Sequence, residues 1–149
     1  MTTSAHPLTS GIAATFWRRV LAGVVGGIVG GLVFGALMAM MGMLPMIASL
    51  VGSGSPAVGF GIHIMISIAI GLGLTVPFGG FLTGYVRALL IGLAYGALWW
   101  VLGPLFIMPM MLGMPPFMFD GTSLPSLMGH LIYGGILGVV SVVFLSRRR

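Results

Sequence analysis

Two histidines, His63 and His130, have the widest chemical reach of any residues in this sequence. Each sits inside a long apolar run, where an ionisable side chain is a functional candidate by default because hydrocarbon surroundings are costly for it. Paired imidazoles can ligate haem iron or a transition metal. Methionines gather in the same stretches, as Met38, Met40, Met41, Met43 and Met46 in one half and Met108, Met110, Met111, Met114 and Met118 in the other. Thioether sulfur with imidazole suits reduced copper, so His63, His130, Met46 and Met110 form a candidate ligand set. The same residues have plainer uses. Methionine is adaptable packing material, and a histidine in a span can tie helices together through Ser67, Tyr133 or a backbone carbonyl. A third use is a pathway for protons or a small polar solute.

Other chemistries lack their parts. The charged residues are six arginines and the single carboxylate Asp120, and there is no cysteine. Hydrolytic or acid–base catalysis needs paired carboxylates, or a nucleophile with a base and an orienting acid. A phosphate-cradling glycine loop needs a lysine after it, and the sequence has none. A zinc site would lack the carboxylate that usually orients its histidines. The expectation is a protein that is not an enzyme. Nucleic acid is excluded as a partner too, since it demands a broad cationic face, whereas these arginines stand singly or in short groups at the edges of apolar runs.

The elements that hold the histidines follow from composition. Of 149 residues, 58% are hydrophobic, 5% are charged and 26 are glycine, against roughly 25% charged in soluble domains. A bilayer core takes roughly 20 apolar residues of helix, and four runs fit, at about 20–44, 57–76, 85–103 and 124–145. They are bounded by Pro45, Pro77, Gly103 with Pro104, and the terminal arginines. Ser55 with Pro56, and Ser123 with Pro125, are read as helix starts, the hydroxyl covering an orphan amide. The first run is too long for a signal core of roughly 7 to 15 residues and is taken as an uncleaved span. With four spans, all six arginines fall on one side and Asp120 on the other, which predicts both termini in the cytoplasm. Residues 1–17 form a short polar cytoplasmic tail in which His6 is solvated, and Phe16, Trp17 and Tyr85 sit where interfacial aromatics belong.

Small residues mark the packing faces. Gly23, Gly27, Gly31 and Gly35 recur every four residues with Gly26 and Gly30 alongside, giving the first helix one nearly bare face of the glycine-zipper kind, which another helix can approach closely. Gly92 and Gly96 echo it, and their series continues to Trp100 and Pro104 where the first span has Gly31 and Gly35. Trp100 is therefore expected to fill a glycine hole. His63, Ser67 and Gly71 are spaced by four, as are His130, Gly134 and Gly138, at a constant offset of 67. A Pro-Met pair, Pro45 with Met46 and Pro109 with Met110, precedes each of these helices. The order suggests two parallel two-helix repeats, 18–83 and 84–149, related by an axis along the membrane normal. At 1.5 Å per residue both histidines lie on the order of 10 Å from their helix starts.

The element Met-Gly-x-Leu-Pro-Met, at Met41 to Met46, and the element Gly-His-Leu-x-Tyr-Gly, at Gly129 to Gly134, resemble those of an uncharacterised group of small four-span prokaryotic membrane proteins. The resemblance covers most of the apolar part, implies a cytoplasmic (inner) membrane, and brings no activity with it. Two functional expectations result. One is a non-enzymatic, all-α membrane module, channel-like or transporter-like or an accessory subunit, with no cofactor, partnered by the lipid bilayer and by a homo-oligomer or larger complex through its glycine faces. The other is a haem- or copper-binding electron-transfer or metal-handling subunit using His63 and His130.

Overall fold

The computed structural model describes residues 7–146, so His6 and Arg147, Arg148 and Arg149 lie outside the described residues. The described chain is all helix: α1 (Pro7–Met40), α2 (Leu44–Ala48), α3 (Pro56–Phe78), α4 (Tyr85–Leu102), α5 (Met108–Met111) and α6 (Ser123–Leu145). Four stretches, Gly11–Met40, Pro56–Phe81, Tyr85–Met111 and Ser123–Leu145, are long and apolar enough to cross a membrane.

Boundaries depart from expectation where proline and glycine act. No break separates a polar tail from the first span, since α1 already runs from Pro7. Its end is at Met40 rather than residue 44, where Gly42 takes φ 69°, a left-handed conformation that costs glycine little. The third stretch does not stop at Gly103 and Pro104. Pro104 lacks an amide and crowds the preceding turn, and the helix widens into a π turn over Gly103–Ile107 before α5. Pro109 then leaves the Leu105 carbonyl without its usual donor, and the amide of Phe117 supplies one from the following loop at 2.7 Å. Phe117 pays with a φ of 58° and stacks on Phe106, with centroids 5.7 Å apart.

The helix starts are built differently from the serine rule. Ser55 occupies the cap position of α3, but its hydroxyl makes no capping bond. At α6 the loop carboxylate does the work: Asp120 Oδ1 accepts from Thr122 Oγ1 at 2.6 Å, Thr122 N at 2.8 Å and Ser123 Oγ at 3.3 Å. The Thr122 hydroxyl, then its amide and the donors of Ser123, hold the Asp120 pKa below the usual carboxylate range. A carboxylate with a depressed folded pKa stabilises above its unfolded pKa of about 3.9 and loses that contribution as pH falls through the folded value. Because Asp120 is the only acidic side chain, thermal melts should lose stability on acidification below about pH 4, and the loss should flatten in Asp120→Asn.

The long helices pack in the order α3, α1, α6, α4, and α3 and α4 do not pack closely on each other. Backbone approaches backbone at both outer pairs. A Cβ on Gly27 would lie 2.6 Å from the Ser67 carbonyl oxygen. Gly23 meets the Gly71 backbone and the Thr75 hydroxyl, whereas Gly31 meets the Ser67 side chain and Gly35 the Phe60 and His63 rings. Across α4 and α6, Gly92 abuts Gly134, Gly96 abuts His130, and Gly138 abuts Ala88. The glycines of α1 are not one face but two, because Gly26 and Gly30 receive Leu137 and Tyr133 of α6 instead. Trp100 fills no glycine hole: its indole donates to the Ser123 carbonyl at 3.2 Å and its ring leans on Phe119.

At one end of the bundle, arginines close the helices. Arg18 donates to the Phe144 carbonyl from Nε and Nη2 (3.1 and 2.7 Å) and to Leu145 from Nη2 (3.0 Å), and Arg19 Nη1 donates to Val76 at 3.0 Å. These are carbonyls in the last turns of α6 and α3, where intrahelical donors run out and a cation also opposes the helix dipole.

Candidate functional site

Where α3 and α4 stand apart, a cavity of about 280 Å³ opens between the helices. All four long helices line it. Phe34 and Met38 come from α1, His63, Ser67 and Ile70 from α3, Trp99 from α4, and Ser126, His130 and Tyr133 from α6, with Met43, Met46, Met108 and Met111 nearer the end remote from the arginines.

The site brings both histidines to one aromatic ring. Phe34 meets His63 edge-on with centroids 5.2 Å apart and His130 with centroids 4.8 Å apart. Phe34 seats against Gly129, which leaves it the room. His63 Nε2 lies 3.0 Å from the Gly31 carbonyl and His130 Nδ1 lies 2.8 Å from the Ser126 carbonyl. A carbonyl can only accept, so those nitrogens carry the protons, and in the neutral rings His63 Nδ1 and His130 Nε2 are acceptors. The expected tie between helices through a backbone carbonyl is found for His63, which reaches Gly31 of α1, whereas His130 bonds a carbonyl of its own helix. The Ser67 hydroxyl turns back to the His63 carbonyl at 2.8 Å, and Tyr133 donates to the Ser67 carbonyl.

Tyr133 forms the floor, and Tyr95 lies off the cavity wall. The Tyr133 bond joins α6 to α3, and Tyr95 joins α4 to α3 by donating to the Ile70 carbonyl at 2.9 Å. Beyond them toward the arginines, Leu74, Thr75, Leu137, Ser141 and Val142 are fully buried, so the cavity ends blind. Among the described residues, the Trp99 indole N–H is the buried side-chain polar atom without a hydrogen-bond partner. The Tyr95 ring stands edge-on to it at 6.2 Å, but the phenol does not meet that N–H in bonding geometry.

The four candidate ligands do not converge as one set. Met46 is on the cavity wall with the histidines, whereas Met110 is 57% exposed and off it. The described residues hold no cluster of three or more histidine or carboxylate ligands. Sequence reasoning missed Phe34, Tyr95 and Trp99. A signal for Phe34 existed, since it is the one aromatic within residues 20–44.

Comparison with family models finds none that matches, and comparisons with curated proteins and with solved structures find no match either.

Proposed function

We propose that this chain is a non-enzymatic four-span membrane protein of the transporter-like kind, whose cavity receives an apolar solute from the bilayer. The observation that carries the reading is the blind cavity lined by all four long helices, walled mostly by apolar side chains with His63, His130, Ser67, Ser126 and Tyr133 as its few polar members. Apolar walls with a few placed polar groups suit a largely hydrophobic ligand bearing one hydrogen-bonding function. The tyrosine floor favours a binding cavity over a continuous pore.

The two-repeat organisation explains why the cavity exists. Shifting α1 by 65 and α3 by 67 turns the contacts Gly23–Gly71 and Gly27–Ser67 into Ala88–Gly138 and Gly92–Gly134. The same shift carries Phe34 to Trp99 and His63 to His130. It also carries Gly26 and Gly30, which admit α6, to Ile91 and Tyr95, whose bulk keeps α4 off α3. One side of the pseudo-symmetric bundle closes where Gly26 and Gly30 receive Leu137 and Tyr133, and the other stays open. The zipper glycines Gly23, Gly27, Gly31, Gly35, Gly71, Gly92, Gly96, Gly134 and Gly138 are all occupied within the chain, which supports a self-contained bundle and leaves association with other subunits to its exposed apolar faces. The arginine end is placed at the cytoplasm by the positive-inside rule, and the two short motifs support membership of the four-span prokaryotic group.

Benzophenone, an apolar ketone that photocrosslinks to nearby C–H groups, tests the cavity. In membrane-reconstituted protein the label should fall on Met43, Met46, Met108 or Met111, and Ile66→Trp, which fills the cavity from its wall, should abolish it. Equal labelling of the outward-facing Met65 and Met128 would sink the proposal.

A further inference from the structure

A second pocket lies at the opposite end of the bundle, between α1, the turn that joins α3 to α4, and the end of α6. Its volume is about 490 Å³, and Arg18, Arg19, Gly79, Gly80, Thr83 and Ser146 line it. We propose that this pocket binds the phosphate of an anionic phospholipid headgroup.

The donors are already in position. Among the described residues, the bonds to Phe144 and Leu145 engage the Arg18 guanidinium through Nε and Nη2 but not Nη1, and the bond to Val76 engages Nη1 of Arg19 but not its Nε or Nη2. The Nε and Nη2 edge of Arg19, the fork that matches a phosphate with two parallel bonds, runs beside Gly79 and Gly80. A Cβ on Gly79 would lie 3.2 Å from Nε, and one on Gly80 would lie 3.3 Å from Nη2. Glycine at both places therefore keeps this edge uncovered. The chain cannot neutralise the pair with an acidic side chain, because Asp120 is at the other end.

The depth of the pocket selects a lipid over a dissolved anion. Phe16 and Trp17 of α1 and Phe81 and Tyr85 beside α4 are exposed at this end, an aromatic belt of the kind found at headgroup level. Arg87 adds a cation over the Phe81 ring, 5.9 Å from its centroid. Leu82 and Leu145 line the same pocket as the arginines and give the adjoining glycerol and first methylenes an apolar wall. This inference is independent of the cavity at the histidines.

The test is native mass spectrometry of the full chain released from nanodiscs containing equal phosphatidylglycerol and phosphatidylcholine. Wild type should retain phosphatidylglycerol preferentially, by about fivefold for each engaged guanidinium. Arg19→Gln should lose about fivefold of that preference. Since Arg19 also closes α3, Gly80→Leu serves as a second variant that blocks the fork and keeps both arginines, and it should lose the preference too. Arg87→Gln, outside the pocket, should keep it. Unchanged preference in both pocket variants, or an equal loss in Arg87→Gln, would overturn the site in favour of diffuse surface attraction. Displacement of the lipid by millimolar inorganic phosphate would overturn the lipid assignment in favour of a soluble anion.

Discussion

Gly27→Leu should abolish recovery of folded protein, whereas Gly61→Leu should be tolerated. The first Cβ atom at position 27 already falls 2.6 Å from the Ser67 carbonyl oxygen and 2.9 Å from the Ile68 Cα, both rigid backbone of α3. Nothing there can rotate away, so α1 and α3 must separate. In lipid no hydrophobic term drives them back together, because hydrocarbon outside the bundle is as apolar as the side chains within it. Overpacking of a well-filled interior costs about 3 kcal/mol even where side chains can adjust, which is a fall of about 100-fold in the ratio of folded to unfolded chain. A Cβ at Gly61 meets nothing within 4 Å. Monodisperse yield after detergent extraction reads the difference. Equal yields for the two variants would mean that the close approach at Gly27 is not what holds the helices. Gly92→Leu should behave like Gly27→Leu, because Gly92 meets the Gly134 carbonyl in the same way.

The glycine spacing made part of this legible. A four-residue period of glycine marks a surface that another helix can approach closely, and Gly23, Gly27, Gly31 and Gly35 all lie against α3, the first two meeting its backbone and the last two its side chains. What the period could not show is that six glycines on one helix serve two neighbours, because Gly26 and Gly30 lie beside the first stripe on the helical wheel and a linear series does not say where one partner ends and the next begins. The third span misled for a related reason. Its two glycines can be laid over any adjacent pair of the first four, and what they meet, Gly134 and His130 of α6, is not written in their spacing. Span boundaries were readable to within a few residues for the second and fourth spans, but not at the start of the first, where the helix runs through Arg18 and Arg19 from Pro7. They were not readable at Gly103 and Pro104, since a proline ends a helix or merely widens it according to whether another donor reaches the stranded carbonyl. The same question recurs at Pro109, where the amide of Phe117 reaches the stranded Leu105 carbonyl from 12 residues further on. The histidines were legible as inward-facing groups, but the ring they share was not, because Phe34 and Gly129 become neighbours only when α1 packs on α6.

Phe34→Ala decides between the two uses of those histidines. The ring is 4% exposed and touches His63, His130 and Gly129. Removing it from a filled interior should destabilise the bundle by about 3 to 5 kcal/mol and enlarge the cavity toward both imidazoles. Gly129→Leu alone should be as damaging, since any Cβ there collides with the Phe34 ring. The double variant Phe34→Ala with Gly129→Leu should recover much of the loss, the new side chain refilling the space from the other helix. Such strong coupling between contacting residues would establish this contact in thermal melts, and simple additivity would refute it. The single variant then separates the chemistries. If the cavity serves an apolar solute, Phe34→Ala remains free of copper and haem and accepts a bulkier aromatic ketone than wild type does. A haem or copper held by His63 and His130 must instead be accommodated with Phe34 against both rings, so removing that ring should raise metal retention. Elemental analysis and the absorption spectrum of the variant distinguish these outcomes. Near-stoichiometric metal that disappears again in the triple variant with His63→Ala and His130→Ala would displace the apolar-solute reading.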